Sequence, residues 1–315
     1  MNFRTPIHLL AHNYQINYND SIFCIGSCFA ENMSNRLSEC KFEVDVNPFG
    51  VVYNPISIQQ SLERIIENIP FSDEGIHCDI NSGLYFSYDA YTLFNNEIKS
   101  EVLRKLNEKL DLAHKNFMKS TVVVITLGTS FIYKLRNSGD VVANCQKQHP
   151  EIFLRERLTV MEVSQALNSL FSKNLFKDKQ VILTVSPIRH KKDGFQANML
   201  SKATLLCGVH EMCERYENVN YFPSYEIMMD DLRDYRFYAE DMIHPSDLAI
   251  EYIWEQFKGC YISETAQSMF KEIKLIQKRL NHRPFNPESE THKKFLTELK
   301  DKIEILNKKM GKNIF

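Results

Sequence analysis

The 315-residue chain is poor in structure-breaking residues, with 10 glycines and 10 prolines. That scarcity argues against a loop-dominated architecture. It has no apolar run near the roughly 18 residues of a membrane span. Its first stretch, "MNFRTPIHLLAHNYQINYND", has no long apolar segment and no small-residue cleavage site, so no secretion signal is expected. Net charge is nearly absent at −2, which leaves no global field for nucleic acid or acidic lipid. The eight cysteines (24, 28, 40, 78, 145, 207, 213 and 260) form no Cys-x-x-Cys pair. Without a signal they read as reduced cytosolic thiols, not a disulfide framework. Glycine-rich phosphate loops are missing too, so nucleotide binding has no local support. What is present, 43% hydrophobic and 25% charged residues, excludes a disordered chain.

Five short apolar runs recur at wide intervals: "SIFCIG" (21–26), "FEVDVNPFG" (42–50), "STVVVITLG" (120–128), "KQVILTVSP" (179–187) and "NVNYFPS" (218–224). The third and fourth are apolar throughout, as a strand buried on both faces must be. Helical periodicity fills the intervals at 29–39, 56–68, 97–118, 161–173, 196–216 and 247–258. The alternation predicts a three-layer α/β/α fold around a mostly parallel sheet of about five strands, flavodoxin-like in its winding. Ligands in such sheets bind beyond the carboxyl ends of the strands. After residue 260 the chain becomes rich in Lys and Glu with apolar stripes over 264–280 and 288–310, and Asn286-Pro287 reads as a helix start. A domain over 1–260 and a helical hairpin over 261–315 are expected. The hairpin would pack on the domain or mediate self-association.

Chemistry gathers in two places. Ser27 and Cys28 sit where the first strand hands over to a helix. Far along the chain, "AEDMIHPSD" spaces Asp241 and His244 three apart. A carboxylate one turn from an imidazole fixes its tautomer and steadies the imidazolium, so the imidazole can take a proton from a nucleophile. A thiol at a helix start feels the positive end of the dipole, which lowers its pKa. A hydroxyl at Ser27 would depend on His244 far more. His190, ending "VSPIRH" beyond the fourth apolar run, is placed to line the same pocket. Arg236 is expected to pair with Asp234 or Glu240. Cys207, His210 and Cys213 share one helix face, which reads as packing and not as a zinc site. The histidines of "HLLAH" (8–12) lack the glutamate of a metalloprotease motif.

"GSCFA" (26–30), "NPFGVVYNP" (47–55), "TLGTS" (126–130), "NCQK" (144–147), "VSPIRH" (185–190), "SK" (201–202), "FPSYEI" (222–227), "LRDYRFY" (232–238) and "DMIHPS" (241–246) occur in order. Over most of 1–258 the chain resembles the GSCFA domain family, which is similar to SGNH/GDSL hydrolases. That resemblance implies an ester or thioester hydrolase, with acyl transfer or ligand binding with weak catalysis as alternatives. In the resembled hydrolases the first block is Gly-Asp-Ser, which puts Cys28 in the nucleophile's place and leaves Ser27 in the Asp place. It implies oxyanion binding by the N–H groups of Cys28 and Gly50. A Gly-x-Asn-Asp block is replaced here by Gly128-Thr129-Ser130-Phe131, so Ser130 stands where an amide donor is expected, with Asn144 as its substitute. Hydrolysis of this kind needs no metal or organic cofactor. The implied partner is a small-molecule, carbohydrate or lipid ester.

Overall fold

The computed structural model describes residues 4–282, 285 and 289–315. Five parallel strands form the central sheet: β1 (Ser21–Gly26), β2 (Glu43–Val46), β3 (Val122–Leu127), β4 (Gln180–Val185) and β5 (Val219–Phe222). Their order is β5-β4-β3-β1-β2. Every pairing is parallel, with Gly26 opposite Thr126 and Thr126 opposite Thr184 at the carboxyl end. This is the flavodoxin-like order, whose direction reverses between β1 and β3. Crossovers to either side of that point leave a crevice above the two strand ends.

The inner strands are apolar at every position because each face meets a helix layer. All six residues of β1 and all six of β3 are buried. Phe23, Ile25, Val123, Ile125, Val181 and Leu183 point into one core, under α2 (Pro55–Glu67), α3 (Lys99–Lys119), α4 (Val160–Phe171) and α5 (Phe195–Arg215). Their alternates Ile22, Cys24, Val122, Val124 and Ile182 point into the other, with α1 (Cys28–Glu39) and α6 (Asp247–Tyr261). Helix starts are written locally. Asn54 caps α2 ahead of Pro55, and Thr159 with Glu162 forms a full capping box on α4.

The C-terminal hairpin packs on the second core. Ile273 and Ile276 of α7 (Glu264–Leu280) and Leu299, Leu306 and Met310 of α8 (Glu290–Met310) share one apolar cluster with Phe42, Trp254 and Phe257. Gln277 of α7 also donates to the Glu39 carbonyl at 2.9 Å. The described cap of α8 is Ser289, whose hydroxyl accepts the His292 N–H. The expected start at Asn286-Pro287 lies outside the described residues.

Two small antiparallel sheets go beyond the expected architecture. Residues 77–78 pair with 85–86, and 131–135 pair with both 141–142 and 153–157. Their strands are short, and Phe153–Arg157 is exposed at four of its five positions. Such segments carry no clear alternation for a sequence reading to find.

Candidate active site

The turn after β1 is dictated by close approach. Gly26 has φ 139°, and a Cβ there would lie 2.1 Å from the Thr126 carbonyl oxygen. Only glycine tolerates both. The Ser27 N–H donates to that same carbonyl at 3.0 Å. Ser27 then caps α1: its side chain is fully buried, and its hydroxyl accepts the Phe29 N–H at 3.3 Å. Cys28, the first helical residue, remains partly exposed.

The N–H groups of Cys28 and Phe29 face the thiol and favour its thiolate, as does Lys202. Burial, then the Glu31 carboxylate, act the other way and win, so the Cys28 pKa is raised. The lowering expected from the helix terminus is therefore corrected: the dipole contributes, but desolvation outweighs it. A thiol whose pKa is raised in this way needs a base to react as thiolate.

The turn ahead of α6 presents one. Oδ1 of Asp241 accepts the N–H groups of Ile243 (2.9 Å) and His244 (3.0 Å), while Oδ2 meets His244 Nδ1 at 2.6 Å. The His244 N–H, the His244 ring and the Ile243 N–H together hold the Asp241 carboxyl down to about 2. Met242 takes a left-handed φ of 59° to close the turn. The Arg189 N–H reaches the Ile243 carbonyl at 3.3 Å, tying this turn to the loop after β4. Both side chains are about half exposed, and His244 Nε2 has no hydrogen-bond partner among the described residues.

His190 lies between the two places. Its ring meets Tyr53 edge-on at 6.2 Å. Burial, then the charges of Lys202 and His244, push its pKa down to about 4, and its buried Nε2 has no partner. Tyr53 is raised to about 12 by burial first and then by Cys28. Lys202 acts on both Cys28 and His190, and His244 acts on His190. Sequence reasoning gave Tyr53 and Lys202 no role. Lys202 is fully buried, donates to the carbonyls of Gly128 and Ser186 at 2.7 Å each, and lies 5.6 Å from the Tyr225 ring centre. Its place in "SK" gave no sign of this, because lysine reads as surface.

Two of the other expected oxyanion donors, the Gly50 N–H and the Ser130 hydroxyl, have partners within the fold. The Gly50 N–H donates to the Asn47 carbonyl at 2.8 Å; with φ 96° and Tyr91 Cβ 2.2 Å from an added Cβ, Gly50 is a turn glycine. The Ser130 hydroxyl is fully buried and donates to Ser201 Oγ at 3.1 Å. Ser201 also accepts the Ser130 N–H (2.8 Å) and meets Thr129 Oγ1 (3.0 Å). The N–H groups of Gly128 and Thr129 both donate to the Tyr53 carbonyl. Asn144 accepts the Gln146 N–H through Oδ1 on a turn whose Cys145 feels Lys192 across the mouth. Asn47, not foreseen, accepts the Gly26 N–H at 2.8 Å while its buried Nδ2 has no partner.

Several lesser motifs are structural. His12 meets Asn220 Oδ1 at 2.8 Å, Arg236 pairs with Asp234 at 3.3 Å, and His210 packs on Tyr221 at 4.9 Å. A cavity of about 720 Å³, lined in part by Phe49, Ser57, Arg64, Tyr88 and Val142, lies beside α2 and includes neither Cys28 nor His244. Volume alone would favour it. The titratable groups converge instead on the strand-end crevice, which is where this sheet order places ligands.

The sheet order defines a flavodoxin-like α/β protein, with a helix-start cysteine after β1 and a carboxylate-bound histidine ahead of α6. Within that class, the chain belongs to the GSCFA family, whose model matches residues 21–257. A second model, GSCFA domain protein, C-terminal domain, matches residues 273–313. No curated protein matches the chain. Among solved structures, it is similar to an acetyl xylan esterase (Est2A) from the rumen bacterium Butyrivibrio proteoclasticus, with 10% identity and a TM-score of 0.38 over 82% of this chain. The match covers 65% of that esterase, so the chain spans just under two thirds of its length. Among the described residues, no helix is long and apolar enough to cross a membrane.

Proposed function

We propose that the chain is an acyl hydrolase of ester or thioester bonds, with Cys28 as nucleophile, His244 as base and Asp241 as its orienting group. The observation that carries this reading is the Asp241–His244 contact at 2.6 Å through Nδ1, which leaves Nε2 to serve a nucleophile. Cys28 is preferred to Ser27 because the Ser27 hydroxyl is buried on the helix cap, whereas the thiol is partly exposed.

In the proposed cycle, His244 Nε2 takes the thiol proton as sulfur attacks the acyl carbon. The carbonyl electron pair moves to oxygen, giving a tetrahedral oxyanion to which the Cys28 N–H donates a hydrogen bond. Asn47 Nδ2, buried without a partner beside the Gly26 N–H, is the candidate second donor. The carbon–oxygen or carbon–sulfur bond to the leaving group then breaks, and the imidazolium returns its proton to that group. Water, deprotonated by the same imidazole, cleaves the thioester enzyme and restores the thiol. An acceptor alcohol or thiol in place of water makes the same cycle an acyl transfer.

The test is labelling with a panel of acyl phosphonates and chloromethyl ketones, read by mass spectrometry. Modification at Cys28 that disappears in His244→Ala supports the enzyme. A second reading, a ligand-binding protein with weak catalysis, is favoured by the raised Cys28 pKa and by the engaged donors of Gly50 and Ser130. Absence of labelling across the panel would favour it.

A further inference from the structure

Residue Arg189 sits at the mouth of the same crevice, on the loop after β4. Its guanidinium lies 4.7 Å from the centre of the Phe195 ring, and Phe195 is about half exposed. Its charge also acts on two phenols, Tyr238 and Tyr225, opposing the rise in pKa that burial causes in each. Nε is buried and has no hydrogen-bond partner. Among the described residues, no carboxylate lies within 4.0 Å of this guanidinium. Arg64 meets Asp89 at 2.9 Å and Arg36 meets Glu251 at 2.9 Å, whereas Arg279, like Arg189, sets a buried guanidinium nitrogen without a partner against a phenylalanine ring.

A guanidinium is always charged, and its planar fork suits two parallel bonds to a carboxylate or phosphate. Withdrawing it among aromatic rings costs solvation that an internal acid would normally offset. Among the described side chains, no carboxylate at ion-pair distance does so. The chain continues "RHKKD", with Lys191 and Lys192 exposed beyond His190, so the same loop adds positive charge to the mouth. The backbone of Arg189 is bonded to the turn of His244, its N–H donating to the Ile243 carbonyl at 3.3 Å.

We propose that Arg189 is the receptor for an anionic group, a carboxylate or a phosphate, carried by the substrate of this site. The inference rests on the crevice being the substrate site, but it does not require that Cys28 react. The acyl or leaving part of the substrate would then extend from the reacting carbonyl toward Phe195 and end in a negative charge.

The test is calorimetric titration of the full chain with inorganic phosphate and, separately, with succinate, at constant ionic strength set by chloride. At least one of the two is expected to bind more tightly than chloride, and Arg189→Gln is expected to weaken it roughly tenfold or more. Arg189→Lys keeps the charge without the fork and is expected to lose several-fold, which covers the case in which the Gln variant does not fold. Lys192→Gln is expected to bind within about twofold of wild type, since an exposed charge is screened. Phosphate preferred over succinate assigns a phosphorylated substrate; the reverse assigns a carboxylate. Cys28→Ala and His244→Ala are expected to keep the binding, so a failure of the labelling test leaves this result standing. Equal binding in wild type and Arg189 variants, or no binding of either anion above chloride, would overturn the proposal.

Discussion

The turns after β1 and β3 begin alike. Gly26-Ser27-Cys28 and Gly128-Thr129-Ser130 leave the carboxyl ends of neighbouring strands, each a glycine followed by two small residues bearing hydroxyl or thiol groups. Their polar groups end differently. After β3, both hydroxyls converge on Ser201 and two N–H groups converge on the Tyr53 carbonyl. After β1, the chain enters a helix, and the first-turn N–H groups face a partly exposed thiol. One turn is closed by its partners and the other leaves its thiol partly exposed. The difference lies not in the turns themselves but in what stands opposite: Ser201 and Tyr53 for one, the crevice for the other.

The largest effect is expected where the two turns touch. Gly26→Ala would drive a methyl group into the Thr126 carbonyl, and loss of soluble folded protein is expected, checked by expression and circular dichroism. Truncation after residue 260 comes next. It would uncover Trp254, Phe257 and Phe42, so aggregation is expected in size-exclusion chromatography. A soluble monomer would show that the domain stands without its hairpin.

The functional contrast is sharpened by two alanine variants. Cys28→Ala is expected to abolish turnover of an activated thioester with little change in melting temperature. Ser27→Ala is expected to retain a measurable rate and lose about 1 kcal/mol from the α1 cap. The reverse pattern would make Ser27 the nucleophile. On the closed side, Ser201→Ala strands the buried Ser130 hydroxyl and N–H, and a loss of about 1–3 kcal/mol in urea unfolding is expected.

A further effect concerns pH. His190 is held down to about 4 in the folded chain, against an ordinary value of 6.5. Between those values the unfolded chain binds the proton and the folded one does not. Stability from this group is therefore full above pH 6.5 and is lost as pH falls toward 4. His190→Gln is expected to flatten the acid side of a melting-temperature profile in that window.

Much of the fold was legible. The strands at 122–127 and 180–185 announced themselves because burial on both faces leaves no polar position, and α7 matched its periodicity from 264 to 280. Asp241 and His244 were legible as a pair because both lie within one turn. The partners of Gly50 and Ser130 were not. Gly50 and Ser130 are decided by Asn47 and Ser201, and no local pattern says that Ser201, 71 positions away, will take the Ser130 hydroxyl. Lys202 and Tyr53 escaped for the same reason, since their roles come from carbonyls and rings brought together by the sheet. The Cys28 pKa ran against expectation because the helix dipole is visible in sequence and desolvation is not.

The most direct test is the rate at which iodoacetamide alkylates Cys28 across pH 5 to 10, in wild type and in His244→Ala, with the modified peptide quantified by mass spectrometry. If the imidazole accepts the thiol proton, wild type reacts in the neutral range and the variant loses roughly tenfold or more of that rate, its reactivity moving to alkaline pH. Superimposable profiles would mean that His244 does not act on Cys28, and the hydrolase reading would fall.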